Sequence, residues 1–167
     1  MIAFLVESLV LIVLFTLAIV PSCLKEPLNH IQDYPEPIRE RVKELGLPVR
    51  EESRKSKAFL IRKGIALVLA LAILTVILVF INKAQTFLQG FLISYGLWMV
   101  VNWYDAIVLD IAWFCHDKRV VIPGTEDLTD AYHDYWFHIK KSLFGSLLGL
   151  PVCALVGLLV MLVNHIC

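Results

Sequence analysis

Four long apolar runs dominate this chain and leave few folds open to it. Ile2–Val20 has 19 residues, Ile65–Ile81 has 17, Phe87–Phe114 has 28 and Leu143–Val163 has 21. A helix needs about 20 residues, with a range of roughly 17–25, to cross a hydrocarbon core of about 30 Å. The four runs hold 85 of the 167 residues, and 59% of the chain is hydrophobic against 18% charged. A soluble domain of this size has too little polar surface to wrap so much apolar material. In lipid every backbone N–H and C=O must be satisfied within the segment that carries it, so the runs are expected to be helices. The expected fold is therefore all-α: one integral membrane four-helix bundle over residues 1–167, with spans near 2–20, 65–81, 87–114 and 143–163.

The charges balance at 15 basic and 15 acidic residues, which gives no field to attract nucleic acid. Their positions are one-sided. Ten Lys and Arg lie between Pro21 and Gly64, four more between the third and fourth runs, and only Lys83 lies in the short hairpin after the second run. The bias of Lys and Arg toward cytoplasmic loops then predicts loops 21–64 and 115–142 in the cytoplasm, with both termini outside. Arg54, Lys55, Lys57, Arg62 and Lys63 would meet anionic lipid headgroups, at about 1 kcal/mol for each charge near the surface. Arg50–Lys63, free of Gly and Pro, is expected to run as helix into the second span.

Val20-Pro-Ser-Cys23 resembles a lipoprotein cleavage motif. An N-terminus without basic residues, Glu7 inside the apolar run and Pro21 before Ser22 argue for a retained span instead. The four cysteines have no zinc-like spacing and read as small apolar groups.

In the first loop Pro37 suits the first turn of a helix, Ile38, Val42 and Leu45 form one stripe, and Gly46 with Pro48 ends it. That stripe is expected to rest on the bundle or the interface, with a protein partner as the alternative occupant. In the fourth span Gly145, Gly149, Cys153 and Gly157 recur every four residues. Such a ridge admits a neighbouring helix at close range; a neighbour within the chain is expected, self-association being the alternative.

The chemistry gathers in and after the third span. Asn102, Asp105 and Asp110 lie in an apolar segment, where ionisable side chains are functional candidates by default. On a straight α-helix Asp105 and Asp110 stand about 140° apart, so they would not form a pair. Beyond them, Leu128, Ala131, Tyr132, Tyr135, Trp136 and Ile139 form the apolar face of an amphipathic interfacial helix, with Asp127, Asp130, Asp134 and His138 on the other face. His116, Asp117, Asp130, His133, Asp134 and His138 are candidate ligands for a divalent metal, since mixed imidazole and carboxylate suit Zn, Mn or Fe. The spacing matches no established metal motif. The His-Asp pairs at 116–117 and 133–134 resemble the HD phosphohydrolase motif without its upstream histidine. Glu7 is expected at the outer interface, with Lys83 or His165 as possible partners.

Tyr34–Pro48 and Asn102–Ile122 resemble stretches of uncharacterised small bacterial membrane proteins, which implies a bacterial cytoplasmic membrane and no particular activity. Three functions fit these residues: a metal or polar ligand bound at a cytoplasm-facing Asp/His cluster, an oligomeric transporter or channel with Asp105 in the path, or a non-catalytic membrane subunit or scaffold. The first is the leading expectation; whether the chain is an enzyme is open.

Overall fold

The computed structural model describes residues 2–48 and 57–166, all helix, turn or loop, with no strand among the described residues. Helix α1 spans Ile2–Lys25, followed by a short 3-10 helix at Pro27–Asp33 and helix α2 at Glu36–Glu44. Helix α3 is Lys57–Phe80; α4 is Phe87–Tyr104 and continues as a π-helix over Asp105–Phe114. A 3-10 turn at Lys118–Val120, the short helix α5 at Thr129–Tyr132 and the long helix α6 at Tyr135–Ile166 complete the chain. Four helical stretches are long and apolar enough to cross a membrane. The helix expected over Arg50–Lys63 is present from Lys57; residues 49–56 lie outside the described residues.

The helices alternate in direction. At one end Asn82 donates to a Glu7 carboxylate oxygen at 2.6 Å, and Asn164 donates to the Ala84 carbonyl at 3.1 Å. The start of α1, the α3–α4 hairpin and the end of α6 therefore meet there. Lys83 and His165 are the partners expected for Glu7; the partner it has here is Asn82, because the hairpin turn brings an amide to the depth of the carboxylate. Thr86 opens α4 with reciprocal bonds to Gln89, which satisfies donors that would otherwise be orphaned at the helix start.

Helices α4 and α6 pack most closely, and the small-residue ridge is the reason. A Cβ on Gly149 would stand 2.5 Å from the Trp98 ring, and one on Gly157 would stand 2.7 Å from the Phe87 carbonyl oxygen. At Gly145 a Cβ would strike the Asn102 side chain. The ridge thus faces the third span of the same chain. Outward-facing residues such as Leu147, Phe144 and Leu92 stay exposed.

At the opposite end the two long loops fold on each other into a cap. Ile31, Tyr34, Ile38 and Val42 from the first loop bury against Phe114 at the end of the π-helix and against Val120, Ile122 and Tyr132 from the second loop. The stripe of α2 therefore has an intrachain partner. Tyr34, fully buried, donates to the Val120 carbonyl at 2.7 Å and packs edge-on to Phe114. Thr125 donates to the Ile122 carbonyl, so the hydrogen between Thr125 and Tyr132 comes from the phenol; the phenol oxygen in turn accepts the Ile122 N–H. The hydroxyls of Tyr34, Thr125 and Tyr132 are thus all satisfied. The turn that ends α2 needs Gly46 at φ +63°, a left-handed conformation that glycine adopts without steric cost. A bidentate pair, Arg41 to Asp127 at 3.1 and 3.2 Å, closes the rim.

The stretch 125–139 is divided. Helix α5 stops at Tyr132, and the Asp134 carboxylate accepts the Phe137 N–H at the start of α6. An N-terminal cap of this kind competes with helix propagation across residues 133–134. Tyr132 goes into the cap core, whereas Tyr135 and Trp136 point outward.

Candidate functional site

The third span carries Asp105 and Asp110 to the capped end, and its backbone decides how they relate. Over Asp105–Phe114 the helix is π, with bonds between residues five apart; the Cys115 N–H, for example, reaches the Asp110 carbonyl at 2.9 Å. π-turns are rare, mostly single turns, and are frequent at functional sites. Here the π geometry runs for ten residues. A π-turn holds more residues than an α-turn, so Asp105 and Asp110 are offset by a smaller angle than the about 140° of an α-helix. The α-helix expected over these residues is corrected to a π-helix.

Asp110 meets His138 from the first turn of α6. Its Oδ2 lies 2.9 Å from Nδ1 of an imidazole with no exposed surface, while Asp110 keeps 18% of its side chain accessible. The contact is close without the alignment of a hydrogen bond, and Nε2 has no polar partner among the described residues. The rings of Phe114 and Phe137 stand edge-on to the imidazole at 5.9 and 5.2 Å. A buried polar atom without a partner is uncommon and costs about 1–3 kcal/mol unless something fills the vacancy.

Around this pair lies a wider polar shell. Asp105 is within electrostatic range of Asp110, Lys141, Asp33 and His138. Lys141, one turn on from His138, pairs with Asp33 from the first loop. Asp33 also faces His30 Nδ1 at 3.4 Å, and His30 Nε2 meets the Ser22 hydroxyl at 2.8 Å. The run Ser22–His30–Asp33–Lys141 thus links α1, the first loop and α6 beside the Asp110–His138 pair. Asp33, Lys141 and His30 were not singled out in the sequence, since nothing in their spacing connects a loop residue to a helix over a hundred positions later.

The remaining candidates are placed differently. Asn102 donates to the Ser142 carbonyl at 2.9 Å and the Ser146 hydroxyl at 3.2 Å, so it binds α4 to α6. Asp117 is held by the Arg119 guanidinium and backbone and by the Trp113 indole N–H at 2.8 Å. Those bonds, that of Arg119 foremost, hold its carboxyl down at about 2 against an ordinary 3.8. Asp134 caps α6. Asp130 and Asp134 line an open groove of about 560 Å³ with Asp127 and Pro37. His116 and His133 lie together on the surface, ring centres 5.3 Å apart, with Tyr135 beside them. Beside the cluster, burial and then Asp110 push the Cys115 thiol up to about 12, which keeps it protonated and unreactive. Among the described residues no three His, Cys, Asp or Glu side chains are grouped as a metal site.

Compared with protein-family models, with curated proteins and with solved structures, the chain matches none.

Proposed function

We propose that this chain is an integral protein of a bacterial cytoplasmic membrane that binds a small cationic or hydrogen-bond-donating ligand at Asp105, Asp110 and His138, at the cytoplasmic end of its bundle. The one-sided distribution of Lys and Arg supports that orientation, with both termini outside and both capped loops in the cytoplasm. The observation that carries the binding reading is His138: a fully buried imidazole, against a carboxylate, with an Nε2 that lacks a partner.

The chemistry of the ligand follows from what surrounds it. Two carboxyl groups and an imidazole nitrogen offer acceptors, and Lys141, a basic side chain within electrostatic range of Asp105, is already engaged by Asp33. An ammonium-like donor complements this set; an anion does not. A divalent ion is disfavoured at this cluster, because among the described residues no third His, Cys, Asp or Glu side chain is grouped with Asp110 and His138 to complete a ligand set.

The test is thermal unfolding of the full chain in lipid nanodiscs with ammonium or methylammonium chloride, against matched sodium chloride. The expected result is a rise in midpoint with ammonium-type cations, as any ligand of the folded state alone gives, and loss of that rise in Asp110→Asn. No selective rise, or one that survives Asp110→Asn, would overturn the reading.

A further inference from the structure

We propose that His116 and His133 form a second site, on the surface of the cap, for a first-row transition-metal cation of the zinc, nickel or copper type. The two imidazoles come from different elements, His116 just beyond the π-helix and His133 at the break between α5 and α6. Each is fixed in the same way. His116 Nδ1 lies 2.9 Å from the Ile111 carbonyl, and His133 Nδ1 lies 2.9 Å from the Thr129 carbonyl. A carbonyl only accepts, so Nδ1 carries the hydrogen in both rings and the lone pair of each neutral ring is on Nε2. A backbone carbonyl on the far nitrogen is the usual second partner of a metal-binding histidine, setting tautomer and orientation before the ion arrives.

The spacing of the rings agrees. With a metal–nitrogen distance of about 2.0–2.1 Å and a ring centre roughly 1.1 Å behind the nitrogen, two imidazoles on one ion at the tetrahedral angle have centres about 5.2 Å apart. The observed separation is 5.3 Å, with the ring planes inclined at 66°. Among the described residues the His116 Nε2 meets the Tyr135 hydroxyl at 3.3 Å, a long contact that a metal would displace. Both histidines are exposed, so water can complete the coordination sphere, which is the difference from buried His138. Imidazole nitrogen as the only protein donor selects the later first-row ions over magnesium or calcium.

This site is independent of the Asp110–His138 reading, and its test uses different ions. The full-length protein in detergent is titrated with nickel or zinc chloride by calorimetry, and ¹⁵N-histidine spectra are recorded in parallel with zinc. One ion per chain is expected to bind, with both Nε2 resonances shifted and both Nδ1 hydrogens retained. His116→Ala and His133→Ala should each weaken binding by at least about tenfold, while His165→Ala at the other end should not. Equal binding by wild type and the His116→Ala/His133→Ala double variant, or binding that needs only one of the two, would overturn the proposal.

Discussion

At the scale of single residues, the structure separates ionisable groups held by close partners from His138, whose ring nitrogens make no hydrogen bond among the described residues. Asp117 belongs to the first kind. Its folded value of about 2 lies below the ordinary 3.8, so its pairing stabilises the fold above pH about 4 and is lost only as pH falls through about 2. Arg119→Ala should move the Asp117 carboxyl titration, read by NMR, back up toward the ordinary value. Cys115 is equally committed: buried, with its thiol pushed up to about 12, it should resist maleimide at pH 8 in the folded protein and react once the protein is unfolded. His138 is the exception. The sequence supplied it as one of six possible metal ligands, yet its burial and its contact with Asp110 depend on the division between α5 and α6, which the apolar pattern of 125–139 does not reveal. The Asp134 cap that makes this division is a single side chain in a stretch whose periodicity favours continuous helix.

At the scale of elements, apolar length and small-residue spacing were readable, and helix type was not. The spans follow from hydropathy because lipid forces the backbone to bond within each segment. The Gly145–Gly149–Cys153–Gly157 ridge follows from a four-residue repeat, and its fit against Trp98 and Phe87 makes it testable. Gly149→Leu should destabilise the bundle by about 1–3 kcal/mol through overpacking, whereas Leu147→Ala, facing outward, should change the melting profile in detergent by no more than about 0.5 kcal/mol. Asn102→Ala should cost about 0.6–1.7 kcal/mol, the range for interhelical polar contacts in membranes. The π-helix is different. No Gly or Pro occurs in Asp105–Phe114, so no local signal separates it from α-helix, and the smaller angle between Asp105 and Asp110 is legible only from the fold.

At the scale of the whole molecule, the bundle has two unlike ends. One is a short hairpin fastened by Glu7–Asn82 and Asn164–Ala84; the other is a folded cap in which two loops share a core and enclose the carboxylate–imidazole cluster. The cap was visible in the sequence only as separate amphipathic pieces, because their mutual burial joins residues some eighty positions apart, such as Tyr34 and Val120. Tyr34→Phe, which leaves the Val120 carbonyl buried without its donor, should lower stability by about 1 kcal/mol. The whole account rests on lipid around the four helices and on the capped end facing the cytoplasm. Impermeant maleimide labelling of Lys83→Cys and Lys118→Cys, each in a Cys167→Ser background in bacterial cells, tests this most directly. Labelling of the hairpin position in intact cells, with the cap position reacting only after permeabilisation, is the predicted result; the reverse pattern, or recovery of the protein in the detergent-free soluble fraction, would contradict it.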